Sequence, residues 1–123
     1  MATVLVADDD LSVRTVMTLV LKRLGHEVLE AADGEDALAL AREHLVELVL
    51  TDLLMPRRTG LELAKALASE PRLAQIPVIL ASATDADLAA ADAGCLFLSK
   101  PFHVHELERV VAEALGPHDS VAA

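Results

Sequence analysis

The chain of 123 residues has no tryptophan, no tyrosine and only two phenylalanines. Aromatics make up 2% of it against 54% apolar residues, so its core must be assembled from Leu, Val, Ala and Ile. Basic residues are scarce: ten Lys and Arg face twenty Asp and Glu, a formal charge of −10. A domain with that balance lacks the basic face that nucleic-acid binding requires. It suits a cationic partner or a bound metal ion. Cysteine occurs once, as Cys95, which excludes an intrachain disulfide. Its apolar surroundings read it as a small core residue rather than a nucleophile. No basic stretch precedes the N-terminal apolar segment, and Asp8 cuts that segment short. Neither a signal peptide nor a membrane span is expected, and the chain reads as a soluble cytoplasmic protein.

What is present is one domain's length of alternating strand and helix signals, with no repeat and no low-complexity segment. Thr3 to Ala7 is a short apolar strand that runs into Asp8-Asp9-Asp10. Asp10 or Ser12 can cap a helix that buries Val13, Val16, Met17, Val20, Leu21 and Leu24, with Gly25 as its left-handed end. Glu27 to Ala31 is the second strand, and Asp33-Gly34 opens a helix with Ala37, Leu38, Leu40 and Ala41 as apolar positions. The central strand, Leu45 to Thr51, delivers Asp52 at its carboxyl end. Met55-Pro56 stops it, and Arg57-Arg58-Thr59-Gly60 reads as a solvated turn into a third helix. Thr59 and Glu62 have the spacing of a capping box.

Ile76 to Ala81 is the fourth strand with Ser82 at its end, and Asp85 to Ala93 is a weak Ala-rich helix candidate. Cys95 to Leu98 is the fifth strand, followed by Ser99-Lys100-Pro101-Phe102. A last helix buries Leu107, Val110, Val111, Ala114 and Leu115 and stops at Gly116-Pro117. The domain is expected over residues 1–117, with 118–123 as a tail or the start of a linker. Five strand–helix alternations predict an α/β fold, a doubly wound parallel sheet with helices on both faces.

In such sheets ligands bind outside the carboxyl ends of the strands. Collected there are Asp8 and Asp9, Asp52, Ser82 and Lys100. Taken alone, Asp52 reads better as a strand-ending Asp that only solvates or caps a turn. Three crowded carboxylates, however, repel unless a cation intervenes. All-oxygen ligation by few protein groups suits Mg2+. A metal, an ammonium, a hydroxyl and a carboxylate nucleophile are the parts that phosphoryl transfer needs.

These residues carry a family resemblance. Val4 to Asp10 with Arg14, Thr51-Asp52-Leu53-Leu54-Met55-Pro56 with Gly60, Pro77 to Ala83, and Ser99-Lys100-Pro101-Phe102 make the chain similar to a response-regulator receiver domain. The resemblance spans Thr3 to about Gly116. It implies a flavodoxin-like five-stranded parallel sheet of order 2-1-3-4-5. It implies Asp52 as phosphoacceptor, Asp9 as a direct and Asp8 as a water-mediated Mg2+ ligand, and the backbone carbonyl of Leu54 as a further ligand, with Mn2+ as an alternative ion. Lys100 and Ser82 would contact phosphoryl oxygens, and Ser82 and Phe97 would form the switch. The Lys100–Pro101 peptide would be cis. The partners implied are a sensor histidine kinase or histidine phosphotransfer protein, and a downstream protein target or a fused output domain. The chain would be a monomer or a weak phosphorylation-dependent dimer, and not an enzyme with a separate substrate.

Three positions depart from the family pattern. Leu54 stands where many relatives have a polar residue beside the phosphoryl group. His103 stands where an acid or small hydroxyl residue often caps the last helix, so a weaker cap is expected. The stretch from Ser82 to Lys100 is a few residues short, which predicts a shortened fourth helix. His103 and His105 are expected to be solvated, since residues two apart on a helix do not face each other.

Rival readings meet specific residues. A haloacid-dehalogenase-like phosphatase wants a second Asp two residues after its nucleophile, where this chain has Leu54. A flavodoxin-like electron carrier wants a hydroxyl-rich loop after the first strand and stacking aromatics, and here there are three Asp and two Phe. A degenerate receiver that takes no phosphate remains the alternative, and the complete set of Asp8, Asp9, Asp52, Ser82 and Lys100 argues against it.

Overall fold

The three inner strands alternate their side chains between two buried faces, and this determines where the helices go. In the computed structural model, which describes residues 1–83 and 94–116, five strands run parallel in the order β2-β1-β3-β4-β5. They are β1 Thr3–Ala7, β2 Glu27–Ala31, β3 Leu48–Asp52, β4 Val78–Ser82 and β5 Leu96–Ser99. The helices are α1 Leu11–Arg23, α2 Gly34–Glu43, α3 Gly60–Ala68 and α4 Val104–Leu115. Leu5, Ala7, Val49, Val78 and Leu80 face one way and pack with Ala37, Leu38 and Ala41 of α2 and Leu63, Ala64 and Leu67 of α3. Val4, Val6, Leu48, Leu50, Ile79 and Ala81 face the other way and pack with Met17, Val20 and Leu21 of α1 and Leu107, Val110 and Val111 of α4. The period of two in the strands thus builds two cores on one sheet. The helix candidate at Asp85–Ala93, and with it the expectation of a shortened fourth helix, lies outside the described residues, as does the tail at 118–123.

Local signals determine most element ends. Asp10 caps α1 by accepting from the Ser12 and Val13 N–H groups at 2.9 and 3.3 Å. Gly25, with φ +93°, ends that segment in the left-handed region. Asp33 caps α2 through the Asp36 N–H at 2.8 Å. Thr59 and Glu62 form the expected capping box at 3.1 and 2.8 Å. The His103 side chain makes no cap hydrogen bond, whereas Glu106 reaches back to the His103 N–H at 2.7 Å.

Two expectations need correction. The central strand starts at Leu48, not Leu45: Leu45 is 92% exposed, and the ladder with β1 opens at Val4↔Leu48. The apolar run overshoots the strand because Val46 packs into the core from the preceding loop. On α1, Val16 and Leu24 are not buried but 46% and 41% exposed. The sheet and α4 cover a narrower arc of the helix than its apolar pattern spans.

Four surface carboxylates contribute a modest acid sensitivity. Asp33, Glu62, Glu70 and Glu106 are held below their ordinary range, chiefly by the Asp36 N–H, the Thr59 N–H, the Arg42 guanidinium and the His103 N–H respectively. Their folded pKa values lie below the unfolded ones, so the native state binds fewer protons than the unfolded chain in between. Their stabilisation is complete above the unfolded values and is lost as pH falls through the lower folded ones. Because these carboxylates sit at the surface and are screened, thermal melts are expected to fall gradually below about pH 4, and Asp33→Asn is expected to make that acid limb shallower. An identical acid limb in the variant would contradict the assignment.

Candidate functional site

The carboxyl ends of the strands meet at one rim. Asp8 follows β1, Asp52 closes β3, Ser82 closes β4 and Lys100 follows β5. Because β1 and β3 are neighbours with Ala7 beside Thr51, the side chains of Asp8 and Asp52 emerge next to each other. Lys100 is separated from Asp8 by 92 residues, yet its Nζ donates to Asp8 Oδ2 at 3.0 Å and to Asp52 Oδ1 at 3.0 Å. One oxygen from each of Asp8, Asp9 and Asp52 lies within 4.8 Å of the others. Among the described residues this is the one group of three or more side chains that could hold a metal ion. Asp8 is fully buried and Asp9 is exposed.

The electrostatics follow from that crowding. Burial pushes the Asp52 carboxyl above its ordinary range, against the opposing Lys100 hydrogen bond, and the charges of Asp8 and Asp9 add to the rise. Burial alone would lower Lys100, but its bonds to Asp8 and Asp52 together hold the ammonium above its usual value. The site therefore carries three acids against one ammonium and is short of positive charge. Its donors are all oxygens, the chemistry of a hard divalent cation.

The other candidates are distributed around this centre. Ser82 is buried, and its backbone carbonyl accepts from the Lys100 N–H at 2.9 Å, which ties β4 to the Lys100 turn. The Lys100–Pro101 peptide is cis, as expected. Leu54, two residues past Asp52, has its side chain 63% exposed. Phe97 is half-buried against the core shared with α2 and α3. Cys95 is also half-buried, and burial raises its thiol pKa, in keeping with a packing role.

Three arrangements were not read from the sequence. Arg57-Arg58 is a solvent-facing turn, with the Arg57 side chain 57% exposed, but it is also ion-paired. Arg57, at φ +67°, pairs with Asp33 at 3.1 Å and Asp36 at 3.2 Å, and Arg58 pairs with Glu35 at 2.8 Å. The loop after Asp52 is thereby tied to the first turn of α2, and the acids at 33, 35 and 36 were the available signal. The His103 and His105 rings do face each other, stacked with centroids 5.6 Å apart and planes 7° from parallel. His103 is the extended cap residue, so helical spacing does not govern it. Arg14, part of the motif but without a role in it, folds back so that Nη1 donates to the Asp8 carbonyl at 2.7 Å.

The pattern of the response regulator receiver domain family matches residues 4–112. The chain belongs to that family. It is 36% identical to the transcriptional regulatory protein PdtaR of Mycobacterium tuberculosis over 98% of this chain and 60% of that protein. The receiver thus spans less than two thirds of that relative's length. The structure of the Vibrio cholerae chemotaxis protein CheY4 superposes with a TM-score of 0.87 at 30% identity, covering 94% of this chain and 99% of CheY4. The receiver domain of sensor histidine kinase PA1611 of Pseudomonas aeruginosa, solved with a magnesium ion coordinated in its active-site cleft, superposes with a TM-score of 0.86 at 25% identity, covering 94% of this chain and 98% of that one. The sheet order is that of the receiver fold, as the resemblance implied.

Proposed function

We propose that this receiver, over residues 1–117, accepts a phosphoryl group on Asp52 from a phosphohistidine of a sensor histidine kinase or a histidine phosphotransfer protein. The observation that carries the reading is the single rim where Lys100 bridges Asp8 and Asp52 while Asp9 completes a group of three carboxylates. An oxygen of Asp52 attacks the phosphorus in line, the N–P bond breaks, and its electron pair stays on the imidazole. The product is an acyl phosphate. Lys100 follows the charge from the Asp52 carboxylate to a phosphoryl oxygen, and the Ser82 hydroxyl donates to another. Phe97 and Ser82 couple that change to a protein-interaction surface, read by a separate target or by a fused output domain. No nucleic acid binds this domain under its net negative charge.

The donor set fits a divalent ion. Asp8, Asp9, Asp52 and the Leu54 carbonyl would hold Mg2+, with Mn2+ as the alternative, and the bound ion would supply neutralisation of the phosphoryl charge. The magnesium in the PA1611 receiver supports this assignment. The chain turns over no separate substrate; it assists its own phosphorylation and slow dephosphorylation. Residues 118–123 serve as a tail or linker, the location is cytoplasmic, and the assembly is a monomer or a weak phosphorylation-dependent dimer. The test is incubation with Mg2+ and acetyl phosphate followed by intact mass. A gain of one phosphoryl group is expected, and no gain would support a degenerate receiver.

Lifetime follows from Leu54. Hydrolysis requires a water aligned opposite the Asp52 oxygen, and Leu54 has no side-chain polar atom to orient one. Slow decay of the phosphorylated form is expected, and Leu54→Asn is expected to speed it severalfold. Equal or slower decay in the variant would contradict this account.

A further inference from the structure

We infer that Arg14 is a positioning residue for the acidic loop, acting through the Asp8–Asp9 peptide rather than through any ligand. The inference rests on the proposed metal-assisted phosphoryl chemistry and concerns how the chain aims Asp9. Asp8 is fully buried, and each of its polar atoms has a named partner. Its N–H donates to the Ala31 carbonyl at 3.1 Å. Oδ1 accepts from the Asp10 N–H at 2.9 Å, and Oδ2 accepts from Lys100 at 3.0 Å. Its carbonyl lies one residue past the end of β1, where no strand partner remains, and it takes the Arg14 guanidinium at 2.7 Å.

Asp9 is different. It is exposed, and no described residue donates to its carboxylate, so what the fold holds is the backbone from which that carboxylate projects. The Asp8 carbonyl and the Asp9 N–H belong to one planar peptide unit. Holding the carbonyl therefore holds the Asp9 amide and restricts the Cα from which the carboxylate projects. The guanidinium is itself held: Arg14 Nε donates to Glu30 Oε1 at 3.1 Å, and the Arg14 side chain is only 16% exposed. A guanidinium can satisfy a carbonyl and a carboxylate at once with separate N–H groups in a rigid plane, which a lysine ammonium on a flexible stem does not reproduce.

Groups that orient metal ligands typically matter about 10–100-fold in affinity. Calorimetric Mg2+ titration of the full chain is expected to show at least about tenfold weaker binding for Arg14→Ala, a smaller loss for Arg14→Lys, and a smaller loss again for Glu30→Gln. At saturating Mg2+ the phosphorylation rate from acetyl phosphate is expected to stay close to that of the wild type. In metal-free protein the Asp9 amide is expected to show a lower NMR order parameter in Arg14→Ala. Since Glu30 acts only through Arg14, Glu30→Gln is expected to add nothing in the Arg14→Ala background. If Arg14→Ala does not fold, Arg14→Lys and Glu30→Gln decide the matter. Wild-type affinity in folded variants, a rate that Mg2+ does not restore, or an additive double variant would each overturn the inference while leaving the proposed function intact. A wild-type chain that binds no Mg2+ would overturn both.

Discussion

Asp52→Asn is expected to reduce phosphoryl uptake from acetyl phosphate to background while leaving the fold intact. Asp52 is the carboxylate that β3 delivers to the rim, and an amide in its place offers no anionic oxygen to attack phosphorus. The wild-type adduct should be labile to hydroxylamine, as an acyl phosphate is, and the variant should carry no such adduct. The fold is expected to gain rather than lose. Burial together with Asp8 and Asp9 raises the Asp52 pKa despite Lys100, so the folded state disfavours the ionised form. For an acid whose folded pKa is raised, stability falls as pH rises from the unfolded to the folded value and the cost is complete above it, and a neutral isostere removes that cost. Lys100 keeps its bond to Asp8. The variant is therefore expected to melt no lower than the wild type at neutral pH. Uptake at the wild-type rate would show that another residue is phosphorylated, and a large fall in melting temperature would show that the Lys100 pair outweighs the crowding.

Gly60→Ala is expected to damage both the fold and the site, although it adds one methyl group. Gly60 is the first residue of α3 and is buried, and its N–H donates to the Leu53 carbonyl at 2.8 Å. A Cβ there would overlap the Asp52 carbonyl oxygen and lie 3.1 Å from both the Asp52 carbonyl carbon and the Leu53 Cα. These are backbone atoms, so no rotamer relieves the contact. Either α3 retreats from the end of β3 or the Asp52 peptide shifts. Overpacking of this kind costs about 1–3 kcal/mol or more, which lowers the melting temperature on the order of 4 °C per kcal/mol in a domain of this size. Because a displacement of about 1 Å at a reacting group can cost about 10²-fold, phosphorylation is expected to slow well beyond what the loss of folded protein explains. Gly25→Ala makes the contrast. Nothing lies near its Cβ, so it meets only the positive φ, at about 1–2 kcal/mol, with phosphorylation unchanged. A Gly60→Ala protein with normal melting and normal rate would show that α3 can slide along β3 freely.

Much of this fold is local information. Val4, Leu5, Val6 and Ala7 are all buried, two on each face, and an uninterrupted apolar run with no polar alternation can satisfy only a strand covered on both sides. Asp33, Thr59 and Asp10 each announce a helix start because the cap geometry requires a short acceptor there. Asp52 was legible for the same reason: Met55-Pro56 stops the run, so the polar residue before it must stand at the strand end. The boundaries at Leu45 and the exposure of Val16 were not legible. Hydrophobicity marks what can be buried, while the covering arc depends on the neighbour that does the covering.

The amino-acid sequence by itself determined the elements, the two buried faces of the sheet, and which polar residues stand at strand ends, because these depend on periods and stop signals within a few residues. It also carried the family motif. Only the tertiary structure decided who meets whom across the rim. Lys100 reaches Asp8 and Asp52 because the strand order sets β1, β3, β4 and β5 side by side. Arg14 reaches the Asp8 carbonyl because α1 folds back over the end of β1, and Arg57 reaches Asp33 and Asp36 because the loops after β3 and β2 are adjacent. Such contacts depend on sheet order and helix placement, which no local pattern encodes, since the same periods would allow the same strands in another order.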